Sequence, residues 1–103
     1  MPRTYGEPFL IELFSPGEKS PGQLLAQSCI KARIPAAFAA RALDVSRITV
    51  HAWFRGQHIR EKNLGRVNAF MNLLAKDTAT GILPVKSIKD AKRYIEEIGR
   101  AHV

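Results

Sequence analysis

A chain of 103 residues and 11.5 kDa has room for one small domain, and a composition of 46% hydrophobic and 24% charged residues is that of a folded protein. Those figures argue against a disordered chain and against a large multi-site enzyme. The charge is less ordinary: sixteen Lys and Arg against nine Asp and Glu leave +7, and a small, folded, basic domain usually meets a polyanion, either nucleic acid or an acidic membrane surface.

Residues 1–19 read as a turn-rich arm, punctuated by Pro2, Gly6, Pro8, Pro16 and Gly17. Within it, residues 9–14 fit a short strand and a single helical turn equally well. The apolar cluster from Phe9 to Phe14 is too short and too interrupted for a signal-peptide core. No later stretch approaches the roughly 20 apolar residues of a membrane span. The single cysteine, Cys29, has no internal disulfide partner, which fits a reducing cytoplasm.

Residues 20–85 carry the main domain. Ser20-Pro21-Gly22-Gln23 is a helix start: Ser as N-cap, Pro in the first turn, Gln three residues on to complete a capping box. The helix it opens runs to about Arg33, with Leu24, Leu25, Ser28, Cys29 and Ala32 along one face. Pro35 ends it and opens an alanine-rich helix, Ala36 to Leu43. Ser46 caps a third helix that reaches Arg55 and stops at Gly56. After a polar loop from Gln57 to Arg60, a fourth helix runs from about Glu61 to Lys76. Its apolar positions Leu64, Val67, Phe70, Met71 and Leu74 recur at three and four. Gly81 closes it and residues 82–85 form an extended connector. Residues 86–103 supply a last helix, started by Ser87 with Asp90 as an acidic capping box, with Ile88, Ala91, Ile95 and Ile98 inward. This helix is a packing or dimerisation element. Five short helices and no convincing strand predict an all-α domain.

Residues 36–56 have what a helix-turn-helix requires. Ala40 is small where two helices cross, and Leu43, Val45, Val50 and Trp53 are apolar where the pair packs on its core. The run Val45-Ser46…Val50…Trp53…Gly56 resembles the lambda-repressor-like (XRE) helix-turn-helix family, and the resemblance covers about residues 22–75. Two positions depart from it. Ala36 stands where the family often has a phosphate-touching Gln, and Asp44 stands at the turn position that is commonly Gly. The resemblance implies a lambda-repressor-like fold whose helix 46–55 lies in the major groove of DNA.

Charge points the same way. Between Lys31 and Arg66 stand eight basic residues and two acidic ones, +6 of the total +7, and no acid occurs from Val45 to Arg60. On the helix-turn-helix reading, Arg47, Ile48, Thr49, His51, Ala52 and Arg55 face the bases. Arg47 suits guanine O6 and N7, and Ile48 and Ala52 suit thymine methyls. Ser46, Gln57, His58, Arg60 and Lys62 sit where helix ends approach phosphates. If about five phosphates are neutralised, log K falls with log salt at a slope near −4 to −5.

Other readings are weaker. Trp53-Phe54 resembles the homeodomain recognition helix, but Gly56 breaks the helix where a homeodomain's continues. Trp53 is expected in the core and Phe54 half exposed. Cys29 reads as a small buried residue, and His51, His58 and His102 lack metal-ligand spacing. No phosphate loop, carboxylate pair or nucleophile with a base is present, so no enzyme, cofactor or metal is expected. The expected protein is cytoplasmic, nucleoid-associated when bound to DNA. It is a transcriptional repressor that binds a pseudo-palindromic operator as a homodimer, through residues 5–14 or 87–100. An architectural factor for recombination, partition or packaging is the first alternative. An adaptor that docks a protein through its N-terminal arm is the second.

Overall fold

Local chemistry sets most of the helix ends. The computed structural model describes residues 6–101, with side chains through Ile98. In chain order the helices are α1 (Glu7–Leu13), α2 (Pro21–Ala32), α3 (Ala36–Leu43), α4 (Arg47–Phe54), α5 (Glu61–Ala79) and α6 (Ile88–Ala101). The fold is all-helical, with no strand among the described residues.

The capping box of α2 is complete. Ser20 Oγ accepts from the Gln23 N–H at 3.2 Å, and Gln23 Oε1 accepts from the Ser20 N–H at 2.9 Å. Ser46 caps α4 by accepting from the Thr49 N–H at 3.1 Å, and Ser87 Oγ accepts from the Asp90 N–H at 3.1 Å. Left-handed residues end α2 at Arg33 (φ 60) and α3 at Asp44 (φ 56), while Gly56 (φ 103) follows α4. Gly81 (φ 86) follows α5, which runs three residues past the expected Lys76. The Leu83–Pro84 peptide bond is cis.

Among the described residues there are six helices where five were expected, because residues 7–13 form α1 and neither a strand nor a single turn. Pro8 stands in its first turn, where the absent N–H costs nothing, and Glu7 favours the positive end of the helix. Seven residues are too few to hold a helix by propensity alone. Packing holds it: Leu13 is fully buried, and Gln27 Nε2 donates to the Leu13 carbonyl at 3.0 Å.

One core draws on all six helices and the connector, from Leu13 of α1 through Leu25, Val50 and Val67 to Ile95 of α6. Three expectations about facing are corrected. Leu24 is 44% exposed, since the buried arc of α2 runs through Leu25, Ala26, Cys29 and Ala32. Ile88 is 57% exposed, because α6 packs on α3 and its buried arc runs through Ala91, Tyr94 and Ile95, leaving the first residue of the helix outside the core. Phe54 is 2% exposed instead of half exposed. Tyr94, which the sequence pattern did not single out, donates its hydroxyl to the Asp77 carboxylate and ties α6 to α5.

Candidate nucleic-acid interface

The α3–turn–α4 unit is held from three sides. Helix α4 packs on α3 and on α2. At about 100° per residue, Val50, Trp53 and Phe54 occupy one arc of about 100°, and all three are buried. Arg47, His51, Arg55, Ile48 and Ala52 fall on the opposite arc of about 140°. The close approach of α2 is made at Gly22: a Cβ placed there would lie 2.2 Å from the Trp53 carbonyl oxygen. Arg66 on α5 donates from Nη1 to the Leu43 carbonyl at 3.0 Å. Its guanidinium thus satisfies the end of α3 beside the turn, a structural role that a count of surface charges does not reveal.

Asp44 takes the left-handed conformation that the turn requires, at φ 56 and ψ 46. A β-branched residue fits that region poorly. Asp44→Val is expected to lower stability by about 1–2 kcal/mol, read from the urea midpoint, whereas Asp44→Gly holds or raises it. Equal midpoints for the two variants would show that the turn relaxes without strain.

Of the six residues expected to face bases, Arg47, Ile48 and Arg55 are exposed, and Ile48 is 78% exposed, the most open large apolar side chain among the described residues. Thr49, His51 and Ala52 are half-buried. The Thr49 hydroxyl lies 2.8 Å from Ser46 Oγ, so these two hydroxyls engage each other, and His51 meets the Phe54 ring edge-on at 6.3 Å between centroids. Ser46, Gln57, His58, Arg60 and Lys62 are all exposed. Their loop is pinned by Ile59, 3% exposed, which the sequence pattern had left inside a polar segment. Among the described residues, the charged groups of Arg47, Arg55, Arg60 and Lys62 have no ion-pair partner. Glu12 of α1 and Arg55 line one cleft, which brings an acid near the end of α4 that a linear charge count misses.

This surface offers unpaired cations, an exposed methyl-bearing side chain and no carboxylate within α4 or the loop after it. Such a set can neutralise phosphates and present one arginine and one isoleucine to base edges. Among the described residues, no helix is long and apolar enough to cross a membrane, and no three His, Cys, Asp or Glu side chains group as metal ligands. Comparison with known proteins finds no matching family model, no matching curated protein and no matching solved structure.

Proposed function

We propose that the protein binds double-stranded DNA sequence-specifically through a lambda-repressor-like helix-turn-helix formed by α3 and α4, and that it acts as a repressor on a pseudo-palindromic operator. The observation that carries this reading is the outward arc of α4. Arg47 and Ile48 stand there exposed, beside cations without ion-pair partners, on a helix anchored from behind by Val50, Trp53 and Phe54. A solvated surface helix would mix both signs; this one and the loop after it carry no acid. The operator's two-fold symmetry calls for a homodimer. Among the described residues, Ile11 of α1, Phe14 just after it and Ile88 of α6 are the large exposed apolar side chains available to a second copy on the two segments suited to pairing. Repression then needs only occupancy of a promoter in the cytoplasm, with no catalytic step.

Selection from a randomised duplex library at physiological salt, with stoichiometry measured on the bound complex, tests the proposal. An enriched inverted repeat bound by two chains supports it. Binding without enrichment, weakened steeply by salt, replaces it with an architectural role. Absence of binding overturns it and leaves protein docking through residues 5–14. On the selected site, Arg47→Ala is expected to cost about 1–3 kcal/mol and relax one base position. An equal loss on random DNA would reduce Arg47 to a phosphate contact.

A further inference from the structure

We propose that Lys31, Arg33 and Lys86 form a second phosphate-binding surface that grips the backbone of the same duplex that α4 reads, an inference that rests on the DNA-binding function proposed above. The three cations come from separate parts of the chain. Lys31 and Arg33 flank Ala32 at the end of α2, and the Ala32 carbonyl accepts a hydrogen bond from the Val85 N–H at 3.1 Å. Lys86 follows Val85 directly, so its Cα stands about 3.8 Å from that of Val85, as those of Lys31 and Arg33 stand from that of Ala32. Ala32 and Val85 are buried, whereas Lys31, Arg33 and Lys86 are exposed. Among the described residues, none of the three cations has an ion-pair partner.

Three exposed cations on two chain segments joined by this hydrogen bond, with no acid among residues 31–33 and 85–86, raise a positive potential that favours a polyanion. Their position favours the polyanion that α4 meets. Arg33 takes φ 60 and turns the chain from α2 into α3. The N-cap of α3 is Pro35, which gives no side-chain bond to the first-turn amides, so the positive end of α3 adds to the same field. Helix α3 packs against both α4 and α6. The protein measures 35 × 34 × 25 Å, about the length of one turn of duplex, so the two surfaces lie no farther apart than one duplex turn, and the proposal sets both against the same duplex. Charge places Lys86 with the DNA-binding unit, although the sequence pattern assigns residues 86–103 to packing or dimerisation.

The test uses the full chain with Lys31→Gln, Arg33→Asn and Lys86→Gln, singly and together. Asn is chosen at position 33 because it tolerates positive φ. Binding to a duplex of about 30 base pairs is followed by fluorescence anisotropy from 50 to 300 mM salt. Each substitution is expected to weaken binding close to tenfold near 0.1 M salt, on selected and random sequences alike. The triple variant is expected to flatten the salt slope by roughly 2 to 3. Wild-type binding with an unchanged slope in the triple variant would overturn the second surface alone, and would assign the cations to an acidic protein or lipid. An equal loss for Lys76→Gln, an exposed lysine at the end of α5, would overturn it as a mere net-charge effect. Failure of the wild type itself to bind any duplex would overturn both this surface and the function it rests on.

Discussion

Gly22→Ala is expected to lower stability by about 3 kcal/mol or more and the melting temperature by roughly 10–20 °C. Propensity alone predicts the opposite, since alanine in a helix is favoured over glycine by roughly 0.5–1 kcal/mol. The difference lies in what α4 brings to this position. A Cβ on residue 22 would meet the Trp53 carbonyl oxygen at 2.2 Å, its carbonyl carbon at 2.7 Å and its Cβ at 2.9 Å. Two of these atoms are backbone and cannot rotate aside. Ordinary contact begins at 3.4 Å, so α2 must retreat from α4 by about 1 Å, and packed cores do not absorb such a shift. Trp53 and Val50 lose contacts as a result, and the outward face of α4 loses its support. Gly65→Ala is the matched control: Gly65 lies exposed in α5 with nothing within 4 Å of its added Cβ. That variant is expected to hold stability or raise it by up to about 1 kcal/mol. Thermal unfolding of the two variants side by side decides the matter. A stabilised Gly22→Ala protein would mean that the helices do not approach so closely.

The starts and stops of α2, α3 and α4 were legible because each is set by chemistry within four residues. Ser20 with Gln23, Ser46 with Thr49 and left-handed Asp44 act locally, and the sequence displays them. The facing of α4 was legible for Val50 and Trp53, whose spacing fits one helical stripe. Phe54 was misplaced because adjacency to Trp53 suggests another face, although Phe54 falls only about 40° from Val50 around the helix. Gly22 gave no signal of its own. It belongs to a Ser-Pro-Gly-Gln run that reads as a helix start with or without a glycine, and the atoms that demand a glycine lie on Trp53, more than a helix away in sequence. Arg66 and Ile59 escaped for the same reason: the partner of Arg66 is a carbonyl on α3, and Ile59 is buried by tertiary contacts inside an otherwise polar loop. The helix α1 was obscured by Pro8 inside it and Pro16 just beyond it, since a proline marks a loop turn as readily as the first turn of a helix. What the sequence could not display was the meeting of residues 31–33 with 85–86, because one backbone hydrogen bond between distant segments makes it.

Raising the pH from 9 to 11 is expected to cost the wild type roughly 2–3 kcal/mol more stability than it costs Cys29→Ala. Cys29 is fully buried in the core, and burial pushes its thiol from 9.0 up to about 12 because the charged thiolate is desolvated there. The folded state therefore holds this proton more tightly than the unfolded state. Stability from that difference is fully present below pH 9. It falls by about 1.4 kcal/mol per pH unit above that and is exhausted near pH 12. Tyr94 acts with the same sign at higher pH: burial, then its hydrogen bond to the Asp77 carboxylate, hold its hydroxyl above the usual phenol range. The Cys29→Ala comparison removes the tyrosine contribution, which both proteins share. Urea unfolding at pH 8, 9, 10 and 11 measures the effect. Parallel losses in the two proteins would show that the thiol reaches water in the folded state. A second readout separates access from acidity. At neutral pH the buried thiol reacts with an alkylating reagent only when the core opens, so its rate follows the population of the open form. Gly22→Ala, by loosening α2 from α4, is then expected to speed that reaction in proportion to the stability it removes.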